Sequence, residues 1–185
     1  MYELIILSLL MRGAIHGYVI SGVINDVIGP LARASNGRIY PLLTQLEEQG
    51  LIEVGVEATS DGGRVSRSFE ITAAGRARFR HLMLDTSSNP REYREQFAFK
   101  VTAFDQITRA ERVTLLQHYI GFAKAHLTHL EAQGRDLAEA TGYGHTAAQR
   151  ARFASVFEHL AGGWVREGKW AAALLAAETR KKGRA

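Results

Sequence analysis

Apolar residues recur at helical spacing through most of the chain, and the spacing switches to two over one short stretch. The clearest helix lies between Ser35 and Gly50. Ile39, Leu42, Leu43 and Leu46 fall at i, i+3, i+4 and i+7, which is one face of an amphipathic helix. Ser35 suits the N-cap, because its hydroxyl can accept from an amide two or three residues on. Gly50 is placed to end the helix in the left-handed conformation, with Leu51 returning to the core. The opposite face carries Arg38, Tyr40, Thr44 and Gln45, side chains that suit a phosphate backbone and base edges. Pro41 removes one early helical hydrogen bond, so a bend or a loose first turn is expected there.

Two helices precede this one. Residues 2–11 are apolar on most sides (Leu4, Ile5, Ile6, Leu7, Leu9, Leu10), the pattern of a buried helix, and Gly13 breaks it. His16-Gly17-Tyr18 opens a second helix, with Val19, Ile20, Val23, Ile24, Val27 and Ile28 on its inner side and Gly29-Pro30 at its end. After Gly50 the period changes. Leu51 to Glu57 is strand-like, Ser60-Asp61-Gly62-Gly63-Arg64 is a turn, and Ser66 to Ile71 alternates with Phe69 and Ile71 inward. Thr72 can cap a fourth helix from Ala73 to about Leu84. Three helices followed by a two-stranded hairpin is the order of a winged helix-turn-helix. In that architecture the third helix enters the major groove and the hairpin tip lies along the backbone or minor groove. Arg64 falls at the tip and Arg67 on the returning strand.

Residues 86–90 form a polar break, and Asn89, Pro90 and Glu92 read as a helix start. The helix should reach about Phe104 with Phe97, Phe99, Val101 and Phe104 as its apolar set. Thr108-Arg109-Ala110-Glu111 is a capping box. Behind it Val113, Leu116, Ile120, Ala123, Leu127, Leu130, Gly134 and Leu137 repeat at alternating spacings of three and four, a heptad seam that wants a partner helix. Gly142-Tyr143-Gly144 closes that arm, and Thr146 to Gln149 is a second capping box. The last helix carries Phe153, Phe157, Leu160, Trp164, Ala171 and Leu175 near one side and can fold back as an antiparallel hairpin. The fold class is therefore mainly α: a winged helix-turn-helix domain with a two-stranded wing over residues 1–86, an all-helical dimerisation domain over 87–180, and a basic tail at 181–185.

Charge changes the picture. The chain carries +4 overall, but residues 1–85 hold 8 Arg and 9 Asp+Glu, a net of −1. A nucleic-acid reading must then rest on local clusters, chiefly Arg64, Arg67, Arg76, Arg78 and Arg80. The absence of cysteine excludes disulfides and thiolate metal sites. No basic leader or cleavage site is visible, and Ile5 to Met11 is too short an apolar run to span a bilayer. A cytoplasmic protein that uses no membrane is the expectation.

The first half resembles the PadR family of bacterial transcription regulators. The resemblance rests on the apolar first helix; on His16-Gly17-Tyr18; on Ser35-x-Gly37-x-Ile39-Tyr40-Pro41-x-Leu43-x-x-Leu46-Glu47-x-x-Gly50-Leu51; and on Arg67-x-Phe69-x-Ile71-Thr72-x-x-Gly75. It covers residues 2–85. Ser68-Phe69 departs from the tyrosine pair usual there. Carried over position by position, the resemblance makes Ser35, Arg38 and Tyr40 DNA-facing, with Arg64 and Arg67 as wing contacts. The polar face of the third helix adds Asn36 and Thr44. The second half is similar to the helical dimerisation domain of the longer PadR regulators. That implies a homodimer reading a double-stranded operator with two half-sites, joined through Val113, Leu116, Ile120, Ala123, Leu127, Leu130 and Leu137.

No Walker, Rossmann or nucleophile-elbow pattern is present, so neither an enzyme nor a cofactor is expected. His126 and His129 lie three apart on the long helix with His118 two turns earlier, but no carboxylate stands four residues from His126 to complete a metal set. Most aromatics of the second half belong to the core. Tyr119, Phe157 and Trp164 are the candidate lining of an effector pocket, since some relatives respond to aromatic or drug-like compounds. The reading is a sequence-specific DNA-binding repressor relieved by a small aromatic or hydrophobic effector. The rival is a winged-helix protein-interaction module that binds no DNA, for which the net charge of −1 is the best argument.

Overall fold

The structure is a computed structural model, and it describes residues 1–28, 36–59, 65–87, 92–139 and 144–180. Two compact units emerge, Met1–Ile107 and Thr108–Ala185. The first runs α1 (Tyr2–Leu10), β1 (Ile15–His16), α2 (Gly17–Ile28), α3 (Asn36–Glu48), β2 (Ile52–Thr59), β3 (Val65–Ile71), α4 (Ala73–Leu84) and α5 (Tyr93–Thr102), closed by a 3-10 turn at Phe104–Gln106. The second is a pair of long helices, α6 (Arg109–Glu139) and α7 (Ala147–Arg180).

Helix α1 is buried on nearly every side, as its all-round apolar sequence requires: Leu4, Ile5, Ile6, Leu7, Ser8 and Leu10 are enclosed. Glu3 at its first turn holds Arg78 of α4 through a forked pair of bonds, 2.7 Å from Nε and 3.1 Å from Nη2. That bond holds the Arg78 guanidinium above its ordinary value. The arginine cluster expected around residues 64–80 is thus not one DNA-facing patch, because Arg78 is committed to α1.

The sheet has three strands, in the order β1-β3-β2, and not two. The added strand is Ile15–His16, pairing antiparallel with Phe69 and Ser68. Two residues are too few to show alternation, so the sequence reading placed His16 at a helix start. Between β2 and β3 the register slips between Val54 and Glu57, a bulge that twists the ribbon. In α2, Ile20, Ser21 and Ile24 face inward, while Val19 and Val27, expected inside, are exposed.

The first unit ends twenty-one residues beyond the boundary expected at Thr86, since its last residue is Ile107. Polar contacts tie the extra segment down. Arg12 pairs with Asp105 at 2.9 Å, Gln106 donates to the Ser8 carbonyl at 3.2 Å, and Lys100 donates to the Asp85 carbonyl at 2.5 Å. The inward face of α5 is Tyr93, Phe97 and Lys100, at i, i+4 and i+7, with Phe99 and Val101 only half-buried. A lysine occupies the slot where an apolar residue would be sought. The helix start expected at Asn89 and Pro90 lies outside the described residues.

Both capping boxes form. Thr108 N–H donates to Glu111 at 2.8 Å, and Thr146 N–H to Gln149 at 2.8 Å. The two long helices fold into an antiparallel hairpin. Arg112 pairs with Glu178 at 2.9 Å, the Tyr119 hydroxyl donates to Glu167 at 2.8 Å, and Gly134 lies against Phe157. At 31 residues α6 extends about 46 Å.

Two stability predictions follow from this packing. A Cβ on Gly75 would overlap the Leu51 carbonyl oxygen and approach Ile71 Cγ1 to 2.7 Å. Gly75→Ala is expected to cost about 3 kcal/mol or more, read by urea unfolding. Lys100 is 1% exposed, and burial pulls its ammonium down to about 8, with the Asp85 carboxylate partly offsetting this. The folded state therefore binds fewer protons than the unfolded chain between about pH 8 and 10.5. Stability contributed by this group rises with pH through that window. Relative to Lys100→Met, the wild type should gain about 2 kcal/mol between pH 7 and pH 9.5. An equal pH slope in the two proteins would show that Lys100 does not titrate in the fold.

Candidate nucleic-acid interface

The amphipathic pattern of α3 is realised as expected. Ile39, Leu43 and Leu46 are buried, Leu42 is half-buried, and Tyr40, Thr44 and Gln45 are exposed. Pro41 stands inside the helix. It offers no amide, and one turn later Thr44 Oγ1 donates back to the Tyr40 carbonyl at 3.2 Å.

The C-terminal end of α3 is locked. Gly50 adopts φ +67°, its N–H donates to the Glu47 carbonyl at 2.8 Å, and Leu51 N–H donates to the Leu46 carbonyl at 2.9 Å. These are the two bonds of a Schellman turn. Thr72 Oγ1 then donates to the Gly50 carbonyl at 2.6 Å and accepts from Gly75 N–H at 3.0 Å. One hydroxyl joins the end of α3 to the start of α4. At the other side Gly17, opening α2, allows close approach: a Cβ there would lie 3.3 Å from the Phe69 ring, 3.4 Å from the Tyr40 ring and 3.6 Å from Leu43. The helix that presents Tyr40 and Thr44 is therefore held by β3, α2 and α4 together.

Of the expected DNA contacts, Tyr40 and Thr44 share the exposed face of α3, and Arg67 is exposed on β3 opposite Glu57. Asn36 and Arg38 belong to the first turns of α3, and their side chains are outside the described set. Ser35 and Arg64 lie outside the described residues altogether. Sequence reasoning missed Tyr18, which is 63% exposed and whose ring stacks on His16 with centroids 5.7 Å apart.

Residues 6–81 match the transcriptional regulator PadR-like family. The matched stretch lies within the first unit, which is thus similar to this family of transcriptional regulators. A curated relative, the negative transcriptional regulator PadR of Bacillus subtilis strain 168, is 24% identical over 127 residues, which span 68% of this chain and 69% of that protein. The chain is also similar to the solved structure of Bacillus subtilis PadR in complex with operator DNA, with a TM-score of 0.43 at 19% identity over 95% of this chain and 96% of that one. The same protein in complex with p-coumaric acid gives 0.41 at 19% identity over 96% and 94%.

The helical unit of this PadR-like chain carries an aromatic cluster. His126 lies flat on Trp164, centroids 4.4 Å apart and planes 9° apart, and Phe122 meets both edge-on. Tyr119 stacks on Phe122 and meets Trp170 at its edge. Of the expected effector residues, Tyr119 and Trp164 thus belong to one cluster. Phe157 does not: it packs at Gly134, fifteen residues beyond Tyr119 along α6, about 22 Å away. Among the expected dimerisation residues, Leu116 and Ala123 are buried within the chain itself, while Val113, Ile120, Leu127, Leu130 and Leu137 are half-buried. The large apolar side chains left exposed on α7 are Phe153, Val156, Leu160 and Trp170. Among the described residues no group of three or more His, Asp or Glu is placed to hold a metal, and no helix is long and apolar enough to cross a membrane.

Burial, with a smaller contribution from His129, holds the His126 imidazole below its ordinary value. An imidazolium stacked on an indole quenches its fluorescence. Acid quenching of Trp164 should therefore set in below the ordinary histidine range of about 6.5 and vanish in His126→Gln. A quench with a midpoint at or above 6.5 would contradict the burial of His126, and no acid quench at all would contradict the stack.

Proposed function

We propose that this PadR-like regulator is a repressor that reads a two-fold operator as a homodimer, with α3 in the major groove and the β2–β3 wing on the backbone. The observation that carries the reading is α3 itself. Its apolar face is buried, its ends are seated by Gly17 and the Gly50–Thr72 turn, and its free face offers Tyr40, Thr44 and Gln45. In this reading Arg38, with Ser35 or Asn36 nearby, approaches base edges and phosphates, Tyr40 and Thr44 contact the backbone, and Arg64 and Arg67 hold the wing.

The dimer would be made by the helical hairpin, through the α6 residues not already covered within the chain and through Phe153, Val156 and Leu160 of α7. A small aromatic or hydrophobic effector would act at the cluster around Tyr119, Phe122 and Trp164, and p-coumaric acid is the first compound to try. The protein is read as cytoplasmic and without enzymatic activity or cofactor.

Fluorescence anisotropy on duplex from immediately upstream of the protein's own gene, with a scrambled duplex and a salt series, tests this. Selective binding at two proteins per site is the expected result. Arg38→Ala should cost about 1–3 kcal/mol and relax selectivity at one position, and Arg64→Ala should weaken binding to both duplexes and lower the salt slope by about one. Unchanged affinity in both variants would remove α3 and the wing from the interface. No binding of either duplex at low salt would favour the protein-interaction reading.

A further inference from the structure

We propose that Tyr18, stacked on His16, is a further contact to the DNA backbone, beside the exposed face of α3; this rests on the DNA-binding reading above. Tyr18 has the greatest exposure of the large apolar side chains, yet it is ordered by a partner. Its ring lies nearly parallel to His16, at 19° and 5.7 Å. His16 is itself fixed, since it belongs to β1 and pairs with Ser68 of β3. The preset geometry of a large, rigid and exposed aromatic lowers the entropy cost of a contact.

Position points to the partner in that contact. The residue between the two rings is Gly17, whose missing side chain admits the Tyr40 ring from α3. The His16–Tyr18 stack and Tyr40 therefore lie beside the same residue, Gly17, where the first turn of α2 meets α3. The charge balance points the same way. Residues 1–85 are net −1, and two of their eight arginines, Arg12 and Arg78, are paired with Asp105 and Glu3. In a segment with no net positive charge, neutral donors can add to the phosphate contact. A phenol hydroxyl donates to a phosphate oxygen without bringing a charge, and its ring covers deoxyribose.

A neutral contact has a signature of its own. It releases no counterion, so losing it shifts affinity without changing the salt slope, whereas loss of a cationic contact lowers the slope. Because a backbone contact is blind to sequence, a random-sequence duplex suffices. Anisotropy titrations over a salt series should show Tyr18→Phe binding about fivefold to tenfold more weakly at every salt concentration, with the wild-type slope. Arg67→Ala is the contrast, with a slope lower by about one. His16→Ala should lose as much as Tyr18→Phe, and His16→Phe, which keeps a ring under Tyr18, should recover to within about twofold of wild type. Thermal unfolding of Tyr18→Phe should match wild type, since the hydroxyl is in solvent. Wild-type binding together with unchanged affinity in both Tyr18→Phe and Tyr18→Ala would overturn this inference alone. Failure of the wild type to bind any duplex at low salt would overturn the DNA-binding reading and this contact with it.

Discussion

The first unit depends on one junction, where the left-handed turn at Gly50–Leu51 meets Thr72 and Gly75. A helix used for recognition must be held along its length and also in rotation about its axis. Burial of Ile39, Leu43 and Leu46 sets which face is inward. It does not fix how far the helix slides along the sheet. The backbone bonds of the Schellman turn and the Thr72 hydroxyl do that, because hydrogen bonds are directional where apolar contact is not. Gly75 completes the junction by letting the next helix begin against the Leu51 carbonyl with no side chain between them.

Local rules made much of this legible in the sequence. The helix-end glycine, both capping boxes and the period-two stretch depend on neighbours within a few residues, and each appears where its residues stand. What stayed hidden depends on contacts across the chain. Strand β1 is two residues long and exists only because β3 offers it an edge. The Arg78–Glu3 pair spans seventy-five positions, so a count of nearby arginines could not reveal that one was already committed. The polar break at 86–90 is plain in composition, whereas the contacts by which Lys100, Asp105 and Gln106 join the first unit are not. In the candidate site, the outward face of α3 followed from periodicity; Tyr18 stands at the helix start where its motif puts it, but its exposure and its stack on His16 carry no periodic signal.

In the second unit the seven-residue repeat is partly used within the chain. A seam at alternating spacings of three and four says that a helix has a partner, and not which helix that is. Here α7 of the same chain covers Leu116 and Ala123, and the aromatic cluster of Tyr119, Phe122, His126 and Trp164 forms beside them. The apolar surface left uncovered is thereby shifted toward the N-terminal half of α7, where Phe153, Val156 and Leu160 stand exposed.

Lys100 is the first lysine in the sequence, and no other precedes residue 108. Its amine is enclosed between Tyr93 and the Asp85 carbonyl. The whole first unit therefore presents arginines but no accessible primary amine on a side chain. Acylating enzymes and metabolites that react with lysine have nothing to modify on the folded surface of that unit apart from the chain's own amino terminus. The covalent neutralisation of lysine that silences many cationic surfaces has no target there.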